Sequence, residues 1–528
     1  MESESLMDRS PFTEEDLRQL AVAGIPLDEA LRQIRLLTTR PAYARLLRPC
    51  TPGDGIRVLS RAEIEESLAA YERARAQSRL EKFVPASGAA SRMFHALLWF
   101  LNEKKESTGA EIEEEIAKGN AFFLELGRFL RGLAEPGGFA FRAELSEVLA
   151  RSGHELEALV AGRRYRPILE ALLVQMDYDS LPKGLIPFHA YESEIRTPFE
   201  EHLIEAALYA RNGDGVCRLH FTVSPEHEQG FRKLLAEAGP RREREFGVRY
   251  EVGFSAQKPS TDTLAVDERG SPFRAPDGRL LLRPGGHGTL LENLDALAGD
   301  IILIKNIDNT TPRQLEPDLV QWKKTLTGHL VRLQELVFRL LARLEEDDAI
   351  VDEAALFARD LLGIVPPGEP PGTSREEKRA FLVRKLARPI RVCGMVPNAG
   401  DSGGRPFWVR GRDGTAGLQI VESAEIDPDS EEQQQVRAAS THFNPVDIVS
   451  GVRDRHGNPF DLKRFVDPDA VFISSKSSGG AKLRALEHPG LWNGGMADWV
   501  TVFVEVPAET FSPVKRVTDL LGADHRAR

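Results

Sequence analysis

The stretch DIILIKNIDN, residues 300–309, decides the fold class. Ile301 to Ile304 form an unbroken apolar run, the pattern of a strand buried on both faces in a parallel sheet. Asn306, Asp308 and Asn309 then crowd its end. In open α/β sheets ligands collect beyond the carboxyl ends of the strands. A carboxylate there suits Mg²⁺, which takes oxygen ligands and shares its shell with substrate phosphates. An Asx-type turn has the same spelling.

Around this strand the chain alternates. VCRLHFTVS and RYEVGFS read as strands, HEQGFRKLLAEAG as a helix ending at Gly239, and KTLTGHLVRLQELVFRLLARL as a long amphipathic helix. Such alternation predicts a mostly parallel sheet covered by helices. The first 80 residues read as helical, with Thr13 and Asp16 suited to a helix start. A short strand at Phe83–Val84 leads into a loop of small residues, and a helix leaves that loop near Ser91. From about Lys104 to Met176 the pattern is almost wholly helical. VPPGEPPGTS (365–374) reads as a linker, and Ser374 with Glu377 forms a capping box for the next helix. Beyond Pro389 short strands return, in RVCGMV, GLQIVE and DWVTVFVEV.

The 528 residues suffice for roughly three or four domains. Apolar residues make up 41% and charged residues 28%, as in soluble globular proteins. The formal charge of −12 argues against nucleic-acid or anionic-membrane partners. Three scattered cysteines fit a reducing compartment. The acidic N-terminus lacks signal-peptide character, and no run approaches the roughly 18 apolar residues a bilayer needs. The expectation is a cytoplasmic protein.

Several short motifs have the residue types for phosphate and sugar chemistry. In VPASGAASRM (84–93), the small residues Ser87, Gly88 and Ala89 expose amide N–H groups between a strand and a helix, a setting that suits phosphate. Arg92 follows in the first turn, where it can add a bidentate contact. Lys183 stands between Pro182 and Gly184, so a rigid turn can aim it as a point charge. In LRPGGHGTLLENL (282–294), Gly285, Gly286 and Gly288 permit close approach of a flat or anionic ligand. His287 there suits either a ligand contact or a turn-stabilising hydrogen bond, and Thr289 suits a helix cap. The paired donor and acceptor of Gln257 can read a base edge. Glu422 in IVE and Asn444 in HFNP offer hydrogen-bonding groups for a polyol, and Lys515 follows a proline in FSPVK. Taken singly, the turn lysine, the surface arginine and the surface glutamine each have an ordinary structural explanation.

In their order these motifs resemble the sugar-nucleotide pyrophosphorylases, particularly the UDP-sugar and UDP-N-acetylhexosamine branch. The resemblance spans residues 81–520 with large gaps. PASGAASRM is similar to the family's small-residue loop, with Ala90 and Ser91 in place of the usual Gly and Thr. This implies that Arg92 is the pyrophosphate-side arginine, Lys183 a phosphate lysine, Asp308 the Mg²⁺ ligand and Lys515 the contact to the α-phosphate. Ser87, Gly88, Ala89, Gln257, Gly285, Gly286 and His287 would hold the nucleotide; Glu422 and Asn444 match sugar-contacting segments more loosely. Arg92 and Lys183 lie much further apart here than in that family, which implies that the helices between them fold into one outlying domain. The whole chain also resembles a bacterial family of unknown function, through RTPFEEHL, WNGGMADW and the FSPVK ending.

The resemblance implies an α/β fold with a mostly parallel, Rossmann-like sheet of the nucleotide-diphospho-sugar transferase (GT-A-like) type, with helical N-terminal and inserted domains. The expected organisation is an N-terminal helical region (1–80), the start of the core with its phosphate loop (81–103), a helical insertion (104–176) and the nucleotidyltransferase core (177–364). A linker (365–374), a sugar-side part of the core (375–450) and a C-terminal region closing the site (451–528) follow. The implied reaction joins a nucleoside triphosphate, UTP favoured, to a sugar 1-phosphate and releases pyrophosphate. The implied partners are these small molecules, with no nucleic acid and no membrane. A glycosyltransferase on the same fold would need an Asp-x-Asp pair, for which Asp427/Asp429 and Asp467/Asp469 are the candidates. A catalytically silent nucleotide-binding regulator is the third reading.

Overall fold

The protein is described by a computed structural model covering residues 11–104, 109–135, 137–366, 373–398, 400, 403–478 and 480–526. The chain divides into two compact units. One comprises Met1–Ala70, Gln257–Ile302 and Leu326–Glu505; the other comprises Tyr71–Ala256, Leu303–Thr325 and Val506–Arg528.

The first unit opens as its sequence predicts. Thr13 and Asp16 form a reciprocal capping box at the helix Glu14–Ala23, and Leu27–Thr38 is a second helix. The helical reading of the first 80 residues then fails over residues 46–57, where Leu46–Pro49, Thr51–Pro52 and Gly55–Arg57 are strands, and it holds again at the helix Arg61–Ala76. The segment is dense in proline and glycine, and Gly53 and Gly55 take positive φ, so a helix cannot propagate through it. Gly55–Arg57 runs parallel to Val500–Glu505, which runs parallel to Ile390–Pro397; Asp447–Gly451 joins the latter antiparallel. A separate antiparallel sheet orders Leu282–Arg283, Thr263–Val266, Ala481–Glu487 and Phe472–Ser478. The two N-terminal helices cover part of it, with Leu20, Ile25 and Ala30 packed on Leu264 and Leu280. Ser374 and Glu377 cap the helix Arg375–Leu386 as expected. Residues 367–372 of the expected linker lie outside the described residues.

In the second unit Leu80–Pro85, Val216–Thr222 and Arg249–Ser255 form a parallel sheet. Residues 303–305, the end of the strand Ile301–Lys305, lie beside Leu80–Pro85. Between Leu80–Pro85 and Val216–Thr222 the chain makes a run of helices from His95–Glu103 to Tyr165–Glu170, packed around Phe94, Leu97, Phe123, Phe129, Phe141 and Leu172. Val514, Val517 and Leu520 of the C-terminal segment join that core. The helix expected to stop at Gly239 instead runs from Glu228 to Phe246 with Pro240 inside it. Arg242, in the continuation, is buried against Glu194 and Glu245, and these ion pairs offset the hydrogen bond lost at proline.

Both units are thus α/β; the long strands of the second unit pair in parallel, while the first unit mixes parallel with antiparallel pairs. Among the described residues no helix is long and apolar enough to cross a membrane.

Candidate functional site

The carboxyl ends of the second unit's strands bring Lys183, Asp308 and Lys515 together. The loop after Leu80–Pro85 starts at Ala86, whose N–H donates to Thr222 O at 2.9 Å. Its small residues then meet the Pro-Lys turn: Ala90 N donates to Leu181 O at 2.9 Å and Lys183 N to Gly88 O at 3.4 Å. These bonds restore the proximity that the intervening helices deny along the chain. Residues 90–92 make only a single 3-10 turn, and the α-helix begins at His95. The α-helix expected to leave the loop near Ser91 therefore starts four residues later, and what the loop offers is backbone and space. A Cβ built on Gly88 meets nothing within 4 Å.

Lys183 Nζ lies 2.7 Å from Asp308 Oδ2 and 2.7 Å from the Val514 carbonyl; Lys515 Nζ reaches the same Oδ2 at 2.9 Å. Lys183 and Asp308 are buried, with side chains 11% and 10% exposed, while Lys515 is 53% exposed. Burial lowers the Lys183 pKa; the Asp308 charge opposes the shift, and Lys515 and Arg92 add to it. Burial alone would raise the Asp308 carboxyl, but the charges of Lys515 and Lys183 outweigh it and the net shift is downward. Arg92 is exposed and close enough for its charge to reach Lys183. Asp308 Oδ1 is buried and has no hydrogen-bond partner, as do Asn309 Nδ2, Thr310 Oγ1, Thr311 Oγ1 and Ser512 Oγ.

Lys305 points elsewhere. Its ammonium lies 2.6 Å from Glu205 Oε1, and Lys82 Nζ lies 2.8 Å from Glu205 Oε2, all of them fully buried. Tyr209 donates to the same carboxylate at 2.6 Å, and His202 Nε2 lies 3.3 Å from Ile307 O. Glu205 and His202 sit on the helix Pro198–Tyr209, buried on every face. The sequence holds a signal for this network: charged residues inside an otherwise apolar helix, PFEEHLIEAALY (198–209). Which strand supplies the counter-charge is not legible there.

The remaining expected residues lie in the first unit. His287 stacks on Trp492 at 4.3 Å, accepts from Leu491 N at 3.2 Å and lies 3.8 Å from Glu422 Oε1. Burial lowers its pKa to about 4. Trp492 Nε1 donates to Glu422 Oε1 at 3.3 Å, and burial raises the Glu422 pKa. Glu425, which sequence reasoning does not single out, accepts the Glu422 N–H at 2.7 Å, and burial pushes its carboxyl up to about 8. A side chain at Gly285, Gly286 or Gly288 would collide with its neighbours. A Cβ at Gly285 would sit 2.5 Å from Thr261 O, at Gly286 2.6 Å from Glu487 Oε2 and at Gly288 2.1 Å from Pro489 O. Their smallness serves packing of the turn on residues 487–490. Thr289 lies inside a 3-10 turn, donating to Gly286 O, and does not cap the helix. Gln257 Nε2 is buried and unpartnered. Asn444 is spent on backbone at both ends, to Gly394 O and from Val446 N, each at 3.0 Å, which leaves little of its amide for the expected polyol contact.

Three of the four Asp-x-Asp carboxylates are engaged in ion pairs. Arg412 binds Asp467 and Asp469 at 2.6 Å each, and Arg40 binds Asp427 at 2.8 Å. Among the described residues no group of three or more His, Cys, Asp or Glu side chains can hold a metal ion. A metal at Asp308 would therefore draw one oxygen, Oδ1, from this carboxylate and the rest of its shell from a ligand, the habit of Mg²⁺ with phosphates. The unpartnered Oδ1 fits that role.

The sequence matches the family described as "Domain of unknown function (DUF4301)" over residues 13–526, and the chain belongs to it. No curated protein matches the sequence. Solved structures similar to this chain include the uridine diphosphate N-acetylglucosamine pyrophosphorylase of Trypanosoma brucei, at 12% identity and TM-score 0.46, covering 96% of this chain and 76% of that one. Another is a mutant UDP-glucose pyrophosphorylase from Leishmania major, at 15% identity and TM-score 0.35, covering 64% of this chain and 61% of that one.

Proposed function

We propose that this protein is a sugar-1-phosphate nucleotidyltransferase of the GT-A-like type, joining a nucleoside triphosphate, UTP favoured, to a sugar 1-phosphate and releasing pyrophosphate. The observation that carries the reading is the Lys183–Asp308–Lys515 cluster at the carboxyl ends of parallel strands, beside a small-residue loop with open space at Gly88. The motif order read from the sequence supplies the reaction class.

A sugar phosphate oxygen attacks the α-phosphorus in line and pyrophosphate leaves, so no covalent enzyme intermediate is needed. Catalysis then rests on positioning and on neutralising charge. Two ammonium groups, Lys183 and Lys515, meet at one carboxylate, and the charge of Arg92 reaches Lys183. Lys183 has three ammonium hydrogens and spends two, on Asp308 and on Val514, which leaves one for a phosphate oxygen. Lys515 spends one, on Asp308. Without ligand, Asp308 holds both lysines in place; an arriving polyphosphate competes for them as a denser anion. Lys515 offsets charge at the α-phosphate and Arg92 stabilises the leaving pyrophosphate. Mg²⁺, held by Asp308 Oδ1, would neutralise further phosphate charge.

Pyrophosphate release measured over a matrix of nucleoside triphosphates and sugar 1-phosphates, with and without Mg²⁺, tests the proposal. Release with at least one pair supports it. Silence across the matrix, from a folded protein that binds pyrophosphate, rejects turnover and leaves a nucleotide-binding regulator.

A further inference from the structure

We infer that His525 is a positioning residue for Lys515 and Lys183, closing the C-terminal segment into a clasp over the carboxyl end of the sheet. The inference rests on the functional reading only for what the two lysines bind.

The segment after Val506 makes contacts of two kinds. Near Pro513 it meets the site: Ser512 N donates to Asn309 Oδ1 at 3.1 Å and Val514 N to Asp308 O at 3.0 Å. Lys183 bonds the Val514 carbonyl, so one lysine of the site grips the segment that delivers the other. Further on, Val517 N donates to Met93 O at 3.1 Å, and Asp519 Oδ2 gathers the N–H groups of Lys515 and Arg516 at 2.8 and 2.7 Å. The chain then doubles back. The His525 ring is buried against His189, with centroids 5.4 Å apart and Nδ1 3.1 Å from His189 Nε2. The same ring bonds the backbone of Pro513, which has no N–H and so accepts through its carbonyl. Residues 513–525, with Lys515 among them, are thus a loop whose two ends meet at one imidazole.

Hydrogen counting fixes the polarity of this closure. A neutral His525 that donates to Pro513 accepts at Nδ1, so His189 Nε2–H is the donor between them. His189 Nδ1 lies 2.8 Å from Glu201 Oε1. Glu201 is itself buried, taking Tyr191 OH at 2.9 Å and Arg196 at 3.4 Å. The anchor is therefore a pair of buried imidazoles hydrogen-bonded to the helix Pro198–Tyr209. Burial, then the neighbouring His189, pushes the His525 pKa down to about 3 and keeps its ring neutral.

The test compares full-length wild type with His525→Ala, His525→Gln, Arg526→Ala and a deletion of residues 525–528. Acetylation of Lys183 and Lys515 by an amine-reactive ester, followed by mass spectrometry, reads lysine placement. Calorimetry with inorganic pyrophosphate reads the site. The expected result is at least about tenfold faster acetylation of Lys183 and about tenfold weaker pyrophosphate binding in His525→Ala and in the deletion. His525→Gln, which keeps a donor and an acceptor, and Arg526→Ala, which removes an exposed ion pair with Glu135, stay within about threefold of wild type. Unchanged acetylation in His525→Ala overturns the inference, and so does loss of folding in both His525→Ala and the deletion, which would assign His525 to stability. If wild type binds no pyrophosphate, the functional reading falls while the acetylation arm still decides the clasp.

Discussion

Lys183 and Asp308 stand 125 residues apart in the chain and meet at 2.7 Å in a buried contact that Lys515 also enters. One carboxylate oxygen thus accepts from two ammonium groups while the other accepts from none. The arrangement holds two cations together ready for an anion, and it sets the direction of the first two predictions.

Asp308→Asn removes the counter-charge without changing the shape. Turnover falls by about 100-fold or more, as expected when a group acting on transition-state charge is lost. Pyrophosphate titrated without divalent cation binds at least as tightly as to wild type, because no carboxylate competes for the lysines. Weaker binding in that calorimetric titration would contradict the account of Asp308 as an internal counter-ion.

Lys183→Met and Lys515→Met should differ in size. Lys183 is largely buried and Lys515 half-exposed, so solvent screens the second far more. Pyrophosphate affinity drops by about 100-fold for Lys183→Met and by about tenfold for Lys515→Met. The Lys515 effect shrinks as salt is raised tenfold, while the Lys183 effect persists; equal salt dependence would count against the assigned burial.

Glu205→Gln strips the carboxylate that pairs with both Lys82 and Lys305 in a fully buried setting. Burial already pushes Lys82 down to about 7, so this lysine is close to losing its proton. Removing one member of a buried ion network costs about 3–5 kcal/mol. Urea unfolding of Glu205→Gln should report a loss of that order, and Lys82→Met a smaller one, since Lys305 remains to pair with Glu205. A cost below about 1 kcal/mol for Glu205→Gln would mean that the pairing matters little.

Glu425 gives a pH signature in the other unit. Its folded pKa is raised to about 8 from the ordinary 4.5, with burial the main cause. The folded state therefore holds a proton that the unfolded chain has released. Its contribution to stability is full below about pH 4.5 and is lost as pH rises through about 8, with a slope of at most roughly 1.4 kcal/mol per pH unit. Glu425→Gln cannot ionise, so its stability relative to wild type should climb between about pH 5 and pH 8 in matched denaturant titrations. A constant difference would place an ionised carboxylate at 425.

Local reading of the chain succeeds where a short stretch carries its own instructions. Thr13 with Asp16 and Ser374 with Glu377 spell capping boxes, and both form. The Ile301–Ile304 run spells a buried strand, and that strand forms. Residues 46–57 escape such reading because strand pairing there depends on partners at 405–410 and 500–505, which no local pattern reveals. The glycines at 285–288 are legible as small but not as to what they avoid: the crowding comes from residues some 200 positions later, such as Pro489.

The sequence by itself determined which segments are strands and helices along most of the chain, and which residues are of types suited to phosphate. Those properties follow from side-chain periodicity and from capping groups a few residues apart. Only the tertiary structure decided which charges neutralise one another: Lys305 with Glu205, and Lys183 and Lys515 with Asp308. Coulomb and hydrogen-bond energies depend on separation in space and on the water removed around them, and neither quantity is written in the order of the residues.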